Sequence, residues 1–146
     1  MVFISITRLK VRSVLYILHF ILANKASVKE LTKTKGFLGG KELVDKNLTF
    51  WTLTMWESDG CMKTFRNSTS HRKAMQKLPL WCSEASYFHW MQAEEILPAF
   101  KIAAEKLLKD GKLTKVRNPS TRQVSNSFPQ IQWSKLERNF RPYLSS

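Results

Sequence analysis

The sequence predicts an α+β fold, namely a ferredoxin-like antiparallel sheet in the order β-α-β-β-α-β, followed by an extra C-terminal helix and a basic tail. Three observations predict it. Residues 2–7 alternate Val and Ile with Phe, Ser and Thr, and residues 48–57 are rich in Thr and aromatic residues, as strands are. Segments with helical spacing separate such strands. A split β-α-β order of this kind places two helices on one face of a four-stranded sheet.

Four segments have the composition of strands. Residues 2–9 predict the first strand, and residues 37–45 and 48–57 predict the second and third, which a polar turn joins into a hairpin. Residues 84–92 predict the fourth strand. Together these segments supply the four strands that the fold requires.

The first helix is predicted over residues 13–23, where apolar residues occur on nearly all sides and indicate burial on more than one side. Ser27 and Glu30 have the spacing of a capping box, which predicts a break near Asn24 and a restart of the helix. Basic residues before the apolar run also match the start of a signal peptide. The alternation at residues 2–7 instead favours a strand followed by a buried helix.

Two short helical segments are predicted between the third and fourth strands, over residues 58–67 and 70–78, and Pro79 interrupts the second. Pro98 opens the extra helix, which runs to about residue 109. We therefore expect a ferredoxin-like domain over residues 1–110 and a basic, partly irregular extension over residues 111–146.

Positive charge is concentrated near the C-terminus. The chain has a formal net charge of +13, and ten of its 24 Lys and Arg residues follow Phe100, where only three acidic residues stand. Two interpretations are open: a solvated tail without a partner, or weak contact with nucleic acid or an anionic membrane surface. The polar composition around Pro119 and Ser120 leads us to expect that the tail is dispensable for folding of the core.

The third strand is apolar or aromatic on both faces, whereas two helices cover only one face of a sheet. Trp51, Leu53 and Met55 share one face, and Phe50 and Trp56 share the other. A large exposed apolar patch is rare on a monomer. We therefore expect a homodimer in which a second subunit covers the open face, with a pocket for a small apolar ligand between sheet and helices.

The two cysteines, Cys61 and Cys82, form neither a disulfide framework nor a Cys/His cluster with zinc-ligand spacing. No metal site is therefore predicted. Two free, mostly buried thiols are typical of a reducing compartment, so a cytoplasmic location is expected.

One stretch resembles a known group of proteins. The segment FWTLTMWES at residues 50–58, followed by Met62, Phe65, His71 and Met75, resembles the dimeric α+β-barrel superfamily, which includes antibiotic-biosynthesis-type monooxygenases. The likeness is nearest to an uncharacterised domain family within it and looser to the spheroidene-monooxygenase-like branch. It covers residues 2–108, and the tail has no counterpart in it.

The resemblance implies a monooxygenase-like protein acting on a small apolar compound. A non-catalytic ligand-binding or interaction domain on the same fold is the alternative. Haem is a possible cofactor, because haem-degrading members carry a histidine ligand on the second helix. Met75 stands at that position in this sequence, with His71 one turn earlier.

His71 is the candidate catalytic residue, either as a base or as a ligand. The other interpretation is an ordinary helix histidine that is hydrogen-bonded to a neighbour. His19 is expected to be a satisfied core or interface histidine, and His89 could face either the pocket or the helices. The side chains expected to line the pocket are Trp51, Trp56, Phe65, Met75 and Trp90.

Overall fold

The computed structural model describes residues 1–143 and contains six strands and five helices over that range. The strands are β1 (Val2–Val11), β2 (Phe37–Val44), β3 (Thr49–Trp56), β4 (Cys82–Gln92), β5 (Lys112–Leu113) and β6 (Leu136–Phe140). The helices are α1 (Val14–Lys33), α2 (Asp59–Arg66), α3 (Thr69–Trp81), α4 (Phe100–Asp110) and α5 (Thr121–Ser125).

All the strands pair antiparallel in the order β5-β4-β1-β3-β2-β6. The four central members of this order are the four strands predicted from the sequence, and their arrangement confirms the ferredoxin-like α+β fold. β1 and β3 lie at the centre, where Ile6 pairs with Leu53 on one side and with Phe88 on the other. Central strands are covered on both faces, which explains why these two strands have buried residues on both faces.

One face of the sheet packs against α4 and part of the C-terminal segment. Ile4, Ile6 and Leu53 are fully buried there, beneath Phe100 and Ala103 of α4. The other face packs against α1, α2 and α3, where the buried residues form two separate apolar clusters. The sheet is therefore covered on both faces by its own chain.

This double cover corrects the expected dimer interface. Trp51 and Leu53 are fully buried under α4, and Phe50 and Trp56 are buried under the helices of the opposite face. At these residues neither face is open to a second subunit, because other segments of the same chain cover them. The homodimer itself stays a prediction.

Two local helix predictions were wrong. α1 is one continuous helix, because Ser27 lies inside it and Glu30 does not turn back to cap a new start. Glu30 instead accepts hydrogen bonds from the backbone N–H and the hydroxyl of Ser70, at 3.2 Å and 2.8 Å, and so satisfies the first turn of α3. α3 also continues past Pro79 to Trp81, since a proline in the last turn removes only one helical hydrogen bond.

The N-terminal half of α1 is not buried on more than one side. Phe20 faces the core, whereas Leu15, Leu18 and Leu22 are exposed. His19 is also exposed and stacks on Trp81 with ring centroids 6.4 Å apart, so it is not a core histidine. Among residues 1–143, no helix combines the length and the apolarity that crossing a membrane requires.

The C-terminal extension is fastened to the sheet at several points. The Gln123 side chain accepts a hydrogen bond from the Ala85 backbone N–H and donates one to the Ala85 carbonyl, at 3.0 Å and 3.2 Å. β6 pairs with β2 along five residues and buries Phe140. The expectation that the tail offers little to bury was wrong, because Gln123, Ile131 and Phe140 are buried. We therefore expect the tail to contribute to folding, whereas its contact with nucleic acid or an anionic surface stays a prediction.

A buried ion pair lies under the extension. The Arg8 guanidinium and the Glu84 carboxylate are 2.7 Å apart and almost fully buried, and Ser120 donates a second hydrogen bond to Glu84 at 2.9 Å. Arg8 also lies 4.4 Å from the ring centroid of Phe128. Burial lowers the pKa of Arg8, although an arginine stays protonated in proteins. Removing one partner of such a pair leaves an uncompensated buried charge.

We predict that Phe140→Ala destabilises the protein, because it removes a buried aromatic ring and leaves a cavity at the edge of the sheet. The expected decrease in the free energy of unfolding is about 3 kcal/mol, measured by urea denaturation. Leu136→Ala is the matched control, since Leu136 lies on the same strand but is 66% exposed. It should change the free energy by less than about 0.5 kcal/mol. Equal effects of both substitutions would show that β6 is not held by its buried residue.

Candidate functional site

A cavity of about 370 Å³ lies between the sheet and the layer formed by α1, α2 and α3. It occupies the gap between the two apolar clusters of this face, one around Phe20 and Phe50 and the other around Phe37 and Trp56. A volume of this size is within the range of small-molecule sites.

The floor of the cavity consists of hydroxyl side chains from the two central strands. Ser5 and Thr7 come from β1, and their register partners Thr54 and Thr52 come from β3. These side chains are too short to fill the space under the helices, whereas Phe and Trp fill it at either end. The Thr54 hydroxyl accepts a hydrogen bond from the Trp56 indole at 2.9 Å. The floor therefore supplies hydrogen-bonding groups in an otherwise apolar space.

The walls are mainly apolar and come from the helices. α1 contributes the side that carries Phe20, Val28 and Leu31, and α3 contributes Ala74 and Leu78. The rings of Trp56, Phe65 and His71 form a continuous row, with centroids 5.7 Å and then 4.6 Å apart. Such walls favour a planar apolar or aromatic molecule over a strongly charged one.

His71 lines the cavity from the first turns of α3. Its Nδ1 lies 3.1 Å from the backbone carbonyl oxygen of Arg66, and that contact fits a ring in which Nδ1 carries the proton. The other nitrogen, Nε2, is then an acceptor. Burial lowers the pKa of His71 below its ordinary value of 6.5, and the nearby Arg66 charge acts in the same direction. The ring is therefore neutral at pH 7 and able to take a proton.

A second histidine lies on the strand side of the same cavity. His89 of β4 lies beside Phe3 and Tyr87, with ring centroids 5.1 Å and 5.0 Å away. Burial lowers the pKa of His89, and the charge of Arg66 lowers it further. The sequence left open whether His89 faces the pocket or the helices, and in the structure His89 lines the cavity.

The structure brings together four of the six predicted site residues. His71, Trp56, Phe65 and Met75 line the cavity. Trp51 and Trp90 do not, because they lie on the opposite face of the sheet, in the core with α4. The reason is the two-residue period of a strand, which points Trp51 and Trp56 to different faces. The catalytic role of His71 stays a prediction.

The sequence interpretation missed the two threonines of β3. Thr52 and Thr54 alternate with Leu53 and Met55 in the printed sequence, so a signal was present. Treating β3 as apolar on both faces concealed that its cavity side carries small hydroxyl residues at the middle and large rings only at the ends. The signal was that small side chains alternate with large ones along β3, so that one face of the strand leaves room for a cavity.

Haem was left open by the resemblance, and the donors along α3 bear on it. The Nε2 of His71 would be able to ligate the iron of a haem, and the Met75 thioether lies one turn later on the same wall. Arg66 at the cavity edge could pair with a carboxylate. His71 would therefore supply one ligand for the iron, and Arg66 would supply one cationic partner for a carboxylate. If bound, haem would supply activation of dioxygen.

In the described part of the chain, no group of three or more His, Cys, Asp or Glu side chains is arranged to hold a metal ion. Cys61 and Cys82 are both free. Burial raises the pKa of the Cys82 thiol to about 12, so this thiol stays protonated and unreactive at neutral pH.

Comparison with known proteins shows a likeness in fold. No protein-family model matches the sequence. No curated protein matches it either. Solved structures do match, and eight of them share 7% to 13% sequence identity with this chain.

Three of these structures illustrate the likeness. Rv0793 from Mycobacterium tuberculosis has a TM-score of 0.59 at 9% identity and covers 65% of this chain and 98% of its own. SnoaB from Streptomyces nogalater, a cofactor-independent oxygenase, has a TM-score of 0.54 at 11% identity and covers 67% and 98%. An antibiotic biosynthesis monooxygenase has a TM-score of 0.56 at 8% identity and covers 63% and 99%.

The chain therefore has the fold of the antibiotic-biosynthesis-monooxygenase-like proteins. The resemblance seen in the sequence is confirmed at the level of the fold. About one third of this chain lies outside each alignment, and this share is similar in length to the part of the chain that follows β4.

We predict that the stability of the protein falls as the pH decreases below about 6.5 and that His71 contributes to this fall. The unfolded chain binds a proton at the ordinary pKa of histidine, whereas the folded chain binds it only at lower pH, so protonation favours unfolding in that window. The full stabilisation is present above pH 6.5. His71→Gln should make the free energy of unfolding less dependent on pH below about 6.5. His19→Gln is the control, and an unchanged pH dependence in His71→Gln would contradict the prediction.

Proposed function

We propose that this protein is a monooxygenase-like enzyme that acts on a small, mainly apolar aromatic compound bound in the cavity. The observation that carries the proposal is the combination found there, namely a hydroxyl floor, aromatic walls and the neutral His71 with a free Nε2. Neighbours in fold are named monooxygenases or oxygenases, which supports the reaction class but not a substrate.

In this proposal, His71 acts as the general base. A phenolic substrate would lie along the row formed by Trp56 and Phe65, with its hydroxyl toward Nε2, and its other polar group would reach Thr52 or Thr54 on the floor. Proton transfer to Nε2 leaves an electron-rich phenolate that reacts with dioxygen. The charge of Arg66, which lies near both histidines, stabilises that anion.

1-Naphthol is a suitable probe, because it is apolar, planar and carries one acidic hydroxyl. One turnover converts 1-naphthol and O₂ into 1,4-naphthoquinone and water, so one oxygen atom enters the product and the other leaves as water. The reaction is followed by oxygen consumption, by the quinone absorbance and by incorporation of ¹⁸O from labelled O₂.

We predict that His71→Ala lowers the turnover of 1-naphthol by about 10²-fold or more, because the base is lost. The dissociation constant of 1-naphthol, measured by calorimetry, should rise by about tenfold at most, because only one hydrogen bond and one ring of the wall are lost. His19→Ala is the matched control, since His19 is exposed outside the cavity. Equal turnover in wild type and His71→Ala would remove His71 from the reaction.

The alternative function is a ligand-binding domain without catalysis. It is favoured by the absence of a carboxylate on the His71 ring, since the partner of Nδ1 is a backbone carbonyl and the oxygens of Glu30 are engaged by Ser70. Saturable binding of 1-naphthol without oxygen consumption, both alone and after addition of haemin, would identify this function. A Soret band after addition of haemin would instead identify a haem protein.

A further inference from the structure

The outer surface of α1 carries a row of exposed apolar side chains that the fold does not use. Leu15, Leu18 and Leu22 follow each other at helical spacing and are 78%, 65% and 57% exposed, and Val14 beside them is 74% exposed. The opposite side of α1 packs on the core through Phe20 and lines the cavity. The leucine row is therefore not part of the core or of the proposed active site.

The side of α1 that carries the leucine row becomes basic in the second half of the helix. Lys25, Lys29 and Lys33 are exposed, and with the leucines they lie within about 100° of arc around the helix axis. The only acidic residue of α1 is Glu30, whose carboxylate is hydrogen-bonded to Ser70. The outer side of α1 thus joins an apolar half to a cationic half.

The adjacent helix α3 extends the cationic area. Its exposed residues include Arg72, Lys73 and Lys77, and the helix contains no acidic residue. α3 is held beside α1 by the Glu30 hydrogen bonds to Ser70 and by the stacking of His19 on Trp81. The two helices therefore present one surface, with leucines on one part and at least six cations around it.

We propose that this surface of α1 and α3 binds anionic lipid bilayers. The leucines enter the interfacial region of the bilayer, and the lysine and arginine side chains contact the lipid headgroups. Amphipathic helices that lie in the membrane plane bind in this way, because buried apolar area and electrostatic attraction to anionic lipids both contribute to their affinity. The long apolar stem of lysine allows its ammonium group to stay among the headgroups while the helix backbone lies closer to the acyl chains.

Charge decides between a bilayer and the other occupants of such a surface. A second copy of this chain would bring two surfaces of like charge together, on molecules with a net charge of +13 each. A nucleic acid would match the charge but would leave the leucines exposed to water. An anionic bilayer covers the leucines with its apolar region and pairs the cations with its headgroups. The inference concerns this outer surface and does not depend on the proposed oxygenation.

The experiment is co-sedimentation of the full chain with vesicles of phosphatidylcholine alone and of phosphatidylcholine with about 30% phosphatidylserine. We expect binding to the anionic vesicles only. Leu18→Ser combined with Leu22→Ser should weaken it by about tenfold or more, because the lost area is apolar and exposed in the free protein. Ile102→Ser combined with Val124→Ser is the matched control, since both residues are exposed elsewhere on the chain, at 52% and 74%.

A second pair of variants separates the surface from the overall net charge. Lys25→Gln combined with Lys29→Gln should weaken vesicle binding by about tenfold or more. Lys101→Gln combined with Lys109→Gln removes the same charge from the exposed side of α4 and should weaken it by less than about threefold. All four double variants should keep the wild-type melting temperature within a few degrees, because every substituted side chain is exposed.

Three results would overturn the proposal. The first is a wild-type chain that does not bind the anionic vesicles, and the second is a leucine variant that binds them as well as wild type. The third is equal loss of binding in the two lysine variants, which would show attraction by net charge alone. A wild-type dimer that Leu18→Ser with Leu22→Ser converts to a monomer, without any vesicle binding, would assign the surface to a second copy.

Discussion

The rest of the structure depends on the different side-chain sizes that the two central strands present to their two faces. Toward α4, β1 and β3 present Ile4, Ile6 and Leu53, which are fully buried in one apolar cluster with residues of α4. Toward α1 and α3, the residues between them are Ser5, Thr7 and the two threonines of β3, which are too short to meet the helices. The same two strands thus build a dense core on one side and the floor of a cavity on the other.

The dense side has a consequence for assembly. In this chain, α4 and the segment after it provide the cover that a sheet with two apolar faces requires, so the fold is completed within one molecule. The part of the chain that follows β4 is also close in length to the share that the neighbours in fold leave unaligned. The extension is thus part of the folded unit: it completes one edge of the sheet through β6 and covers the buried pair of Arg8 and Glu84.

On the cavity side of the sheet, the same two helices form the wall of the proposed active site and the proposed membrane-binding surface. α1 and α3 line the cavity with their inner sides, where His71 is neutral because burial lowers its pKa. Their outer sides carry the leucine row and the cations that we assign to an anionic bilayer. An apolar molecule dissolved in such a bilayer would lie about one helix diameter from the cavity. The proposed oxygenation and the proposed surface can be tested separately, because no residue is shared between their variants.

The sequence by itself determined the order of the elements and the alternation along β1 and β3, because both are local properties of residue type and spacing. It also placed His71, Trp56, Phe65 and Met75 near one another through the resemblance. Only the tertiary structure decided which face each tryptophan meets, that α1 is exposed along its leucines, and that the basic tail packs on the core. These outcomes depend on contacts between residues far apart in the chain, such as Gln123 with Ala85 and α4 with β1. A local pattern shows which side chains need cover, but it does not show which distant segment provides that cover.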